Sequence, residues 1–147
     1  MVTLISHSPE ETEQLGADWG RAAAAGWIIG LTGDLGTGKT QFVKGFARGL
    51  GVIERVHSPT FALAIEYHGG RLPLFHLDLY RLENAQQVFS AGLDEYIYQH
   101  RGVTIVEWAE RAFAQTEGWR SDIRYRRVSI ESIGESDRKI EYEDIGD

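Results

Sequence analysis

Cysteine is absent from the 147 residues, which removes disulfides and thiolate metal sites and agrees with a reducing, cytoplasmic setting. No apolar run approaches the ~20 residues needed to span a bilayer. The opening Met1-Val2-Thr3-Leu4-Ile5-Ser6 lacks a basic n-region and a long apolar h-region, so no secretory signal and no membrane partner are expected. An excess of positive charge is missing too. The formal net charge of −7 argues against strong nonspecific nucleic-acid binding by this chain alone. If it serves an RNA pathway, another subunit is expected to hold the RNA. Internal repeats, linkers and low-complexity stretches are also lacking. What remains is 42% hydrophobic and 25% charged, the balance of a globular protein. The length suits one domain, 1–147, with a sizeable core.

Local patterns divide the chain. Val2 to Ile5 is a short candidate strand. Ser8 as N-cap, Pro9 at N1 and Glu11 at N3 make a capping box. The helix is expected to continue from Thr12 to Ala25, with Gly26 at C′. Trp27 to Leu31 reads as a buried strand, and Phe42, Val43, Phe46, Ala47 and Leu50 recur at helical spacing. Two strand-like runs, 61–67 and 72–80, flank His68-Gly69-Gly70-Arg71 as a hairpin. Short helices are expected over Asn84 to Ala91 and Leu93 to Tyr98. Val103 to Val106 forms a strand and Ala109 to Ala114 a helix. Tyr125 to Ile130 and Lys139 to Glu143 close the chain as a second hairpin, turning near Gly134-Glu135-Ser136-Asp137. Strands and helices mixed in this way predict an α/β domain with a mixed sheet flanked by helices.

Between the second strand and the helix after it stand Gly33, Asp34, Leu35, Gly36, Thr37, Gly38, Lys39 and Thr40, followed by Gln41. The run satisfies G-x-x-x-x-G-K-[ST] at every fixed position, and its place between strand and helix is that of a P-loop in an NTPase-like domain. Glycines let successive N–H groups curl inward on an anion, and the positive end of the helix dipole points at the same place. Lys39 would reach the β- and γ-phosphates, and the Thr40 hydroxyl would ligate Mg²⁺. A Gly-rich turn that merely starts a helix has no need of Lys followed by Thr.

A phosphate loop needs an acidic partner for Mg²⁺ at a neighbouring strand end. Val103 to Val106 leads straight into Glu107, which would bind the metal directly or through water. Trp108 beside it reads as a packing residue. On a strand, His76, Asp78 and Tyr80 would share one face while Leu77 and Leu79 share the other. Asp78 would then touch Mg²⁺ or orient the attacking water. An ordinary hydrogen-bonded His-x-Asp pair is the equal alternative. Thr60, in Ser58-Pro59-Thr60-Phe61, is either a loop threonine that senses Mg²⁺ and γ-phosphate or part of a plain Ser/Pro turn.

Guanine-reading signals are missing: no Asp is followed three positions later by Gly, and none of the three lysines precedes Asp by two. ATP is therefore the expected nucleotide. Two alternatives stand beside an ATPase, a P-loop kinase with a small-molecule acceptor and a nucleotide-gated interaction module. A kinase lid built from Arg120, Arg124, Arg126 and Arg127 sits badly with the strand-like alternation of Arg126, Val128 and Ile130.

Together GDLGTGKT at 33–40, SPTF at 58–61, HLDLYRL at 76–82 and VEWAE at 106–110 resemble, in order and spacing, the TsaE (YjeE) family. That family is the ATPase component of the bacterial machinery that makes threonylcarbamoyladenosine on tRNAs. The resemblance extends to about Glu110, and the remainder is similar only in its strand-like character. It implies that Lys39 and Thr40 bind phosphates and Mg²⁺, that Thr60 is the switch-like threonine, and that Glu107 is the Walker B-like metal residue. It also implies a functional role for Asp78, as base, water-orienter or ligand, and adenine contacts from Ser8 or Thr12. The partners implied are TsaB and TsaD type subunits, with tRNA met only indirectly. No arginine finger is identifiable within the chain, so ATP hydrolysis is expected to be weak alone and stimulated by partners.

Overall fold

The computed structural model describes residues 1–33, 37–56, 64–98, 101–113 and 124–145. In chain order the elements are β1 (Val2–Ser6), α1 (Pro9–Ala22), β2 (Trp27–Thr32), α2 (Lys39–Leu50), β3 (Ala64–Tyr67) and β4 (Leu74–Asp78). They continue with α3 (Ala85–Ser90), α4 (Asp94–Ile97), β5 (Val103–Glu107), α5 (Glu110–Phe113), β6 (Arg124–Ser132) and β7 (Arg138–Ile145). Among the described residues the strands form one mixed sheet in the order β1-β7-β6-β2-β5-β4-β3. The inner strands β6, β2, β5 and β4 run parallel. The flanking pairs β3–β4, β6–β7 and β1–β7 are antiparallel. This is the expected α/β fold with a mixed sheet flanked by helices.

Helices cover both faces of β2, β4 and β5, so those strands bury nearly every side chain; all residues of β4 and of β5 are buried, and β2 is half-buried only at its two ends. Alternation sorts them. Ile29, Leu31, Val103, Ile105, Leu74, Val128 and Ile130 pack with Phe42, Phe46 and Leu50 of α2. Ile28, Phe75, Leu77, Leu79 and Val106 pack on the other side with Val88, Leu93 and Ile97. No helix among the described residues is long and apolar enough to cross a membrane.

The position of α1 beside α2 follows from four glycines. A Cβ at Gly16 would stand 2.2 Å from the Phe42 carbonyl oxygen, and one at Gly20 2.3 Å from that of Phe46. One at Gly45 would stand 1.8 Å from the Glu13 oxygen, and one at Gly49 2.2 Å from that of Ala17. Each helix thus offers a small-x-x-x-small stripe, and the backbones touch where side chains would hold them apart. The contacts advance together along both helices, so α1 and α2 run parallel with their N-termini at the same end.

At the opposite end Arg71 closes both helices. Its guanidinium donates to the Gly20, Arg21 and Ala23 carbonyl oxygens at 2.9, 3.2 and 2.9 Å, and its backbone N–H donates to the Leu50 oxygen at 2.7 Å. That cap explains why α1 stops at Ala22 rather than Ala25. Ala23 is already extended, with φ −65° and ψ 144°, and Gly26 serves the turn into β2 instead of a C′ cap. Arg71→Ala should therefore lower unfolding stability by about 1–3 kcal/mol, read as a lower urea midpoint at unchanged slope. An unshifted midpoint would mean that water replaces the guanidinium without cost.

Candidate functional site

The end of β2 feeds the glycine loop, and two glycines there meet steric demands that other residues would not. Gly33 has φ 142°, and a Cβ on it would lie 2.4 Å from the Ile130 oxygen. Gly38 caps α2 in the left-handed region with φ 106° and, being glycine, supplies no side-chain cap. Asp34, Leu35 and Gly36 lie outside the described residues, as does Thr60 with the rest of its SPTF segment. Thr37 is buried, and Thr40 is the second residue of α2 with Gln41 after it.

Register brings the acidic residues to this end. Leu31 of β2 pairs with Glu107 of β5, and Glu107 pairs with Asp78 of β4. The backbone closes the corner, Leu79 N–H donating to the Glu107 oxygen at 3.0 Å and Ala109 N–H to the Leu31 oxygen at 3.2 Å. Both carboxylate residues are only 4% exposed. His76 is wholly buried on the same face, its Nε2 2.6 Å from Glu107 Oε2. The His-x-Asp alternative is thus corrected: the partner of His76 is on the next strand.

Tyr80 does not share that face. β4 ends at Asp78, whose Oδ1 accepts the Tyr80 N–H at 2.9 Å in a turn that leaves Tyr80 exposed. Its ring instead leans on Trp108, centroids 5.0 Å apart. Trp108 in turn is more than a packing residue. It takes φ 59°, a conformation that costs a bulky L-residue about 1–2 kcal/mol, and its ring lies 4.0 Å from the Lys39 ammonium. Lys39, also buried, donates to the Gly33 carbonyl oxygen. Sequence reading placed His76 on the Asp78 face but missed its bond to Glu107, and it missed the contact of Trp108 with Lys39, since neither contact has a local signature.

On the other side of the loop the N-termini of α1 and α2 bound a cleft of about 190 Å³. Pro9, Thr12, Thr37, Gly38 and Gln41 line it, with Glu135, Ser136 and Arg138 from the β6–β7 turn. Thr12 is held by a 2.7 Å hydrogen bond between its hydroxyl and that of Ser6. Ser8 does cap α1, accepting from Glu11 N–H at 3.1 Å, but Glu11 reciprocates to the His7 N–H at 2.7 Å rather than to Ser8. Arg138 ties the turn to the glycine loop, donating from Nε to the Thr37 oxygen at 3.0 Å and from Nη1 to the Asp137 oxygen at 2.9 Å. Sequence reading missed Arg138 because the two segments stand 101 positions apart. Arg126 belongs to β6, where it pairs with Asp144 at 2.7 Å and stacks on Trp19 and Tyr142, as a structural strand residue rather than a lid.

Beneath the loop, Tyr125 fills the space left by Gly30, where a Cβ would meet its hydroxyl at 2.3 Å. Burial pushes its phenol well above the ordinary range, so the ring stays neutral under the site.

The donor set suits Mg²⁺. Among the described residues no three His, Asp or Glu side chains are grouped to hold a metal by themselves. Two carboxylates and a helix-start hydroxyl leave room for water and phosphate oxygens, which Mg²⁺ prefers to an all-protein cage.

Comparison with known proteins points to one family. The family described as "Threonylcarbamoyl adenosine biosynthesis protein TsaE" matches residues 6–140, well past Glu110 and into β7. The tRNA threonylcarbamoyladenosine biosynthesis protein TsaE of Bacillus subtilis is 41% identical over 139 residues, covering 95% of this chain and 83% of that protein. That of Treponema pallidum is 43% identical over 111 residues, 76% of this chain and 81% of that protein. The crystal structure of Bacillus subtilis YdiB superposes with a TM-score of 0.75 at 36% identity, covering 96% of this chain and 83% of that one.

Proposed function

The chain belongs to the TsaE family, and from that premise we propose that it is a P-loop ATPase acting in threonylcarbamoyl modification of adenosine in tRNA. The observation that carries the reading is the convergence of Lys39, Asp78 and Glu107 at the ends of β2, β4 and β5, beside the start of α2. In this reading residues 1–147 act as a single ATPase domain in the cytoplasm. Its partners are TsaB and TsaD type subunits, and tRNA is met only through them.

ATP binds with its phosphates at Gly33–Thr40 and the start of α2, and its adenosine in the cleft lined by Thr12, Gln41 and Arg138. Two parallel helices aim their positive ends there, which favours the anionic end of the ligand. Thr40, Glu107 and Asp78 would hold Mg²⁺, which when bound neutralises charge on the phosphate oxygens. Lys39 adds its own charge to the same oxygens, moving from Gly33 and Trp108 to do so. Asp78 or a partner's group orients the water that attacks the γ-phosphorus, and the bond to the β–γ bridging oxygen breaks to give ADP and phosphate. Thr60 is read as the loop threonine that reports the γ-phosphate. Phosphoryl transfer needs positioning and charge neutralisation more than covalent help, so an incomplete site hydrolyses slowly until a partner completes it.

The test measures phosphate release and threonylcarbamoyladenosine formation together, with and without the two partner subunits. Slow release alone, faster release in the complex and no modified tRNA without this chain is the expected pattern. Modification undiminished when the chain is omitted would overturn the reading. Arg138→Ala should raise the dissociation constant for a fluorescent ADP about 10-fold by freeing the β6–β7 turn from Thr37, roughly the effect of one charge-assisted hydrogen bond. Unchanged affinity would move the adenosine out of this cleft.

A further inference from the structure

We propose that His76 is a positioning residue for Glu107, holding one carboxylate oxygen so that the other is the one offered to Mg²⁺ or its water. The proposal rests on the ATPase reading above. Its first support is geometric. His76 pairs with Ile105 across the parallel β4–β5 register, which sets it diagonally beside Glu107 on one sheet face, next to Asp78. Nε2 reaches Oε2 at 2.6 Å, with side-chain exposures of 0% and 5%. In the proposed pair Glu107 is the accepting carboxylate and Nε2 the donor.

The second support is chemical. The other ring nitrogen, Nδ1, is buried with no hydrogen-bond partner among the described residues. A ring with Nε2–H and a bare Nδ1 leaves only an acceptor unsatisfied, whereas any other neutral arrangement would orphan an N–H and lose the bond to Glu107. Ligating carboxylates are commonly fixed by such a partner. A lysine or arginine at position 76 would also hold Glu107, but its full charge would compete with the metal. Imidazole fixes the oxygen without that competition, and its ring is fully buried on the sheet face beside Glu107.

Two measurements decide it. First, Mg²⁺ is titrated against binding of a fluorescent ADP for wild type, His76→Leu and His76→Gln, with thermal melts as folding controls. Leu should leave metal-free nucleotide binding within twofold and raise the Mg²⁺ concentration at half-effect by about 10–100-fold. Gln, whose amide N–H can replace Nε2–H, should recover most of that. A folded Leu variant with wild-type Mg²⁺ dependence would overturn the proposal, as would Leu and Gln shifted equally. Second, imidazole ¹⁵N NMR of the wild-type protein needs no variant. It should show Nε2–H with a bare Nδ1, and a proton found on Nδ1 alone would overturn the proposal even if Leu fails to fold. Indifference of the wild-type protein to Mg²⁺ would instead sink the metal-site reading, and this proposal with it.

Discussion

Lys39→Ala is expected to lower phosphate release in the partner complex by about 10²–10³-fold, the usual effect of removing one preorganised group that stabilises transferring charge. Formation of threonylcarbamoyladenosine should fall with it. Lys39 is buried against the Trp108 ring and the Gly33 oxygen, so its removal also deletes a cation–π contact of about 1–2 kcal/mol. The variant should therefore melt a few degrees lower while staying folded, and circular dichroism separates the two effects. Lys39→Arg is expected to restore the charge but not the rate, because a planar guanidinium does not fit where a compact ammonium reaches past Trp108. A loss below threefold for Lys39→Ala would remove this lysine from the phosphates.

Gly45→Ala should damage the fold most for the smallest change. One methyl group would sit 1.8 Å from the Glu13 carbonyl oxygen, against backbone that cannot rotate away. The gain in helix propensity is about 1 kcal/mol, while forcing a packed interface apart costs about 1–3 kcal/mol and more where backbone is the obstacle. The second term wins, and urea unfolding should show a net loss of at least about 1 kcal/mol. Nucleotide affinity should fall as well, since α1 carries Thr12 to the cleft and Gly38 lies 3.9 Å from Thr12 when given a Cβ. Gly134→Ala makes the control. Its added carbon would meet Asp137 at 3.6 Å, an ordinary contact, so stability should hold within about 0.5 kcal/mol. Equal midpoints for the two variants would show that the helices separate freely.

The contrast between those glycines marks what a linear reading reaches. Gly33 and Gly38 announce themselves through a spaced motif, because loop, lysine and helix start are consecutive. Gly16, Gly20, Gly45 and Gly49 carry the same information in pairs on two helices, and neither stripe means anything until the other is laid on it. The place of Glu107 at the end of an apolar strand was legible, as was the face of Asp78 by alternation along β4. The bond from His76 to Glu107 required the parallel pairing of β4 with β5. Trp108 packs on the core as expected; its positive φ and its contact with Lys39 are properties of the folded turn. The overlong strand at 72–80 had a similar origin, since alternation continues through Tyr80 while the Asp78 side chain captures its N–H and ends the strand.

The sequence by itself determined the periodic and the consecutive: the strand–loop–helix unit, the cap at Ser8, the buried strands β2 and β5, and the place of Lys39 at the start of α2. These depend on interactions within a few residues, where covalent spacing fixes geometry. Only the tertiary structure decided the strand order, the contact of Arg138 with Thr37, the cap from Arg71, and the partners of Glu107 and Lys39. Those contacts join residues far apart in the chain, and their geometry exists only once the sheet register and the α1–α2 interface have set the distances.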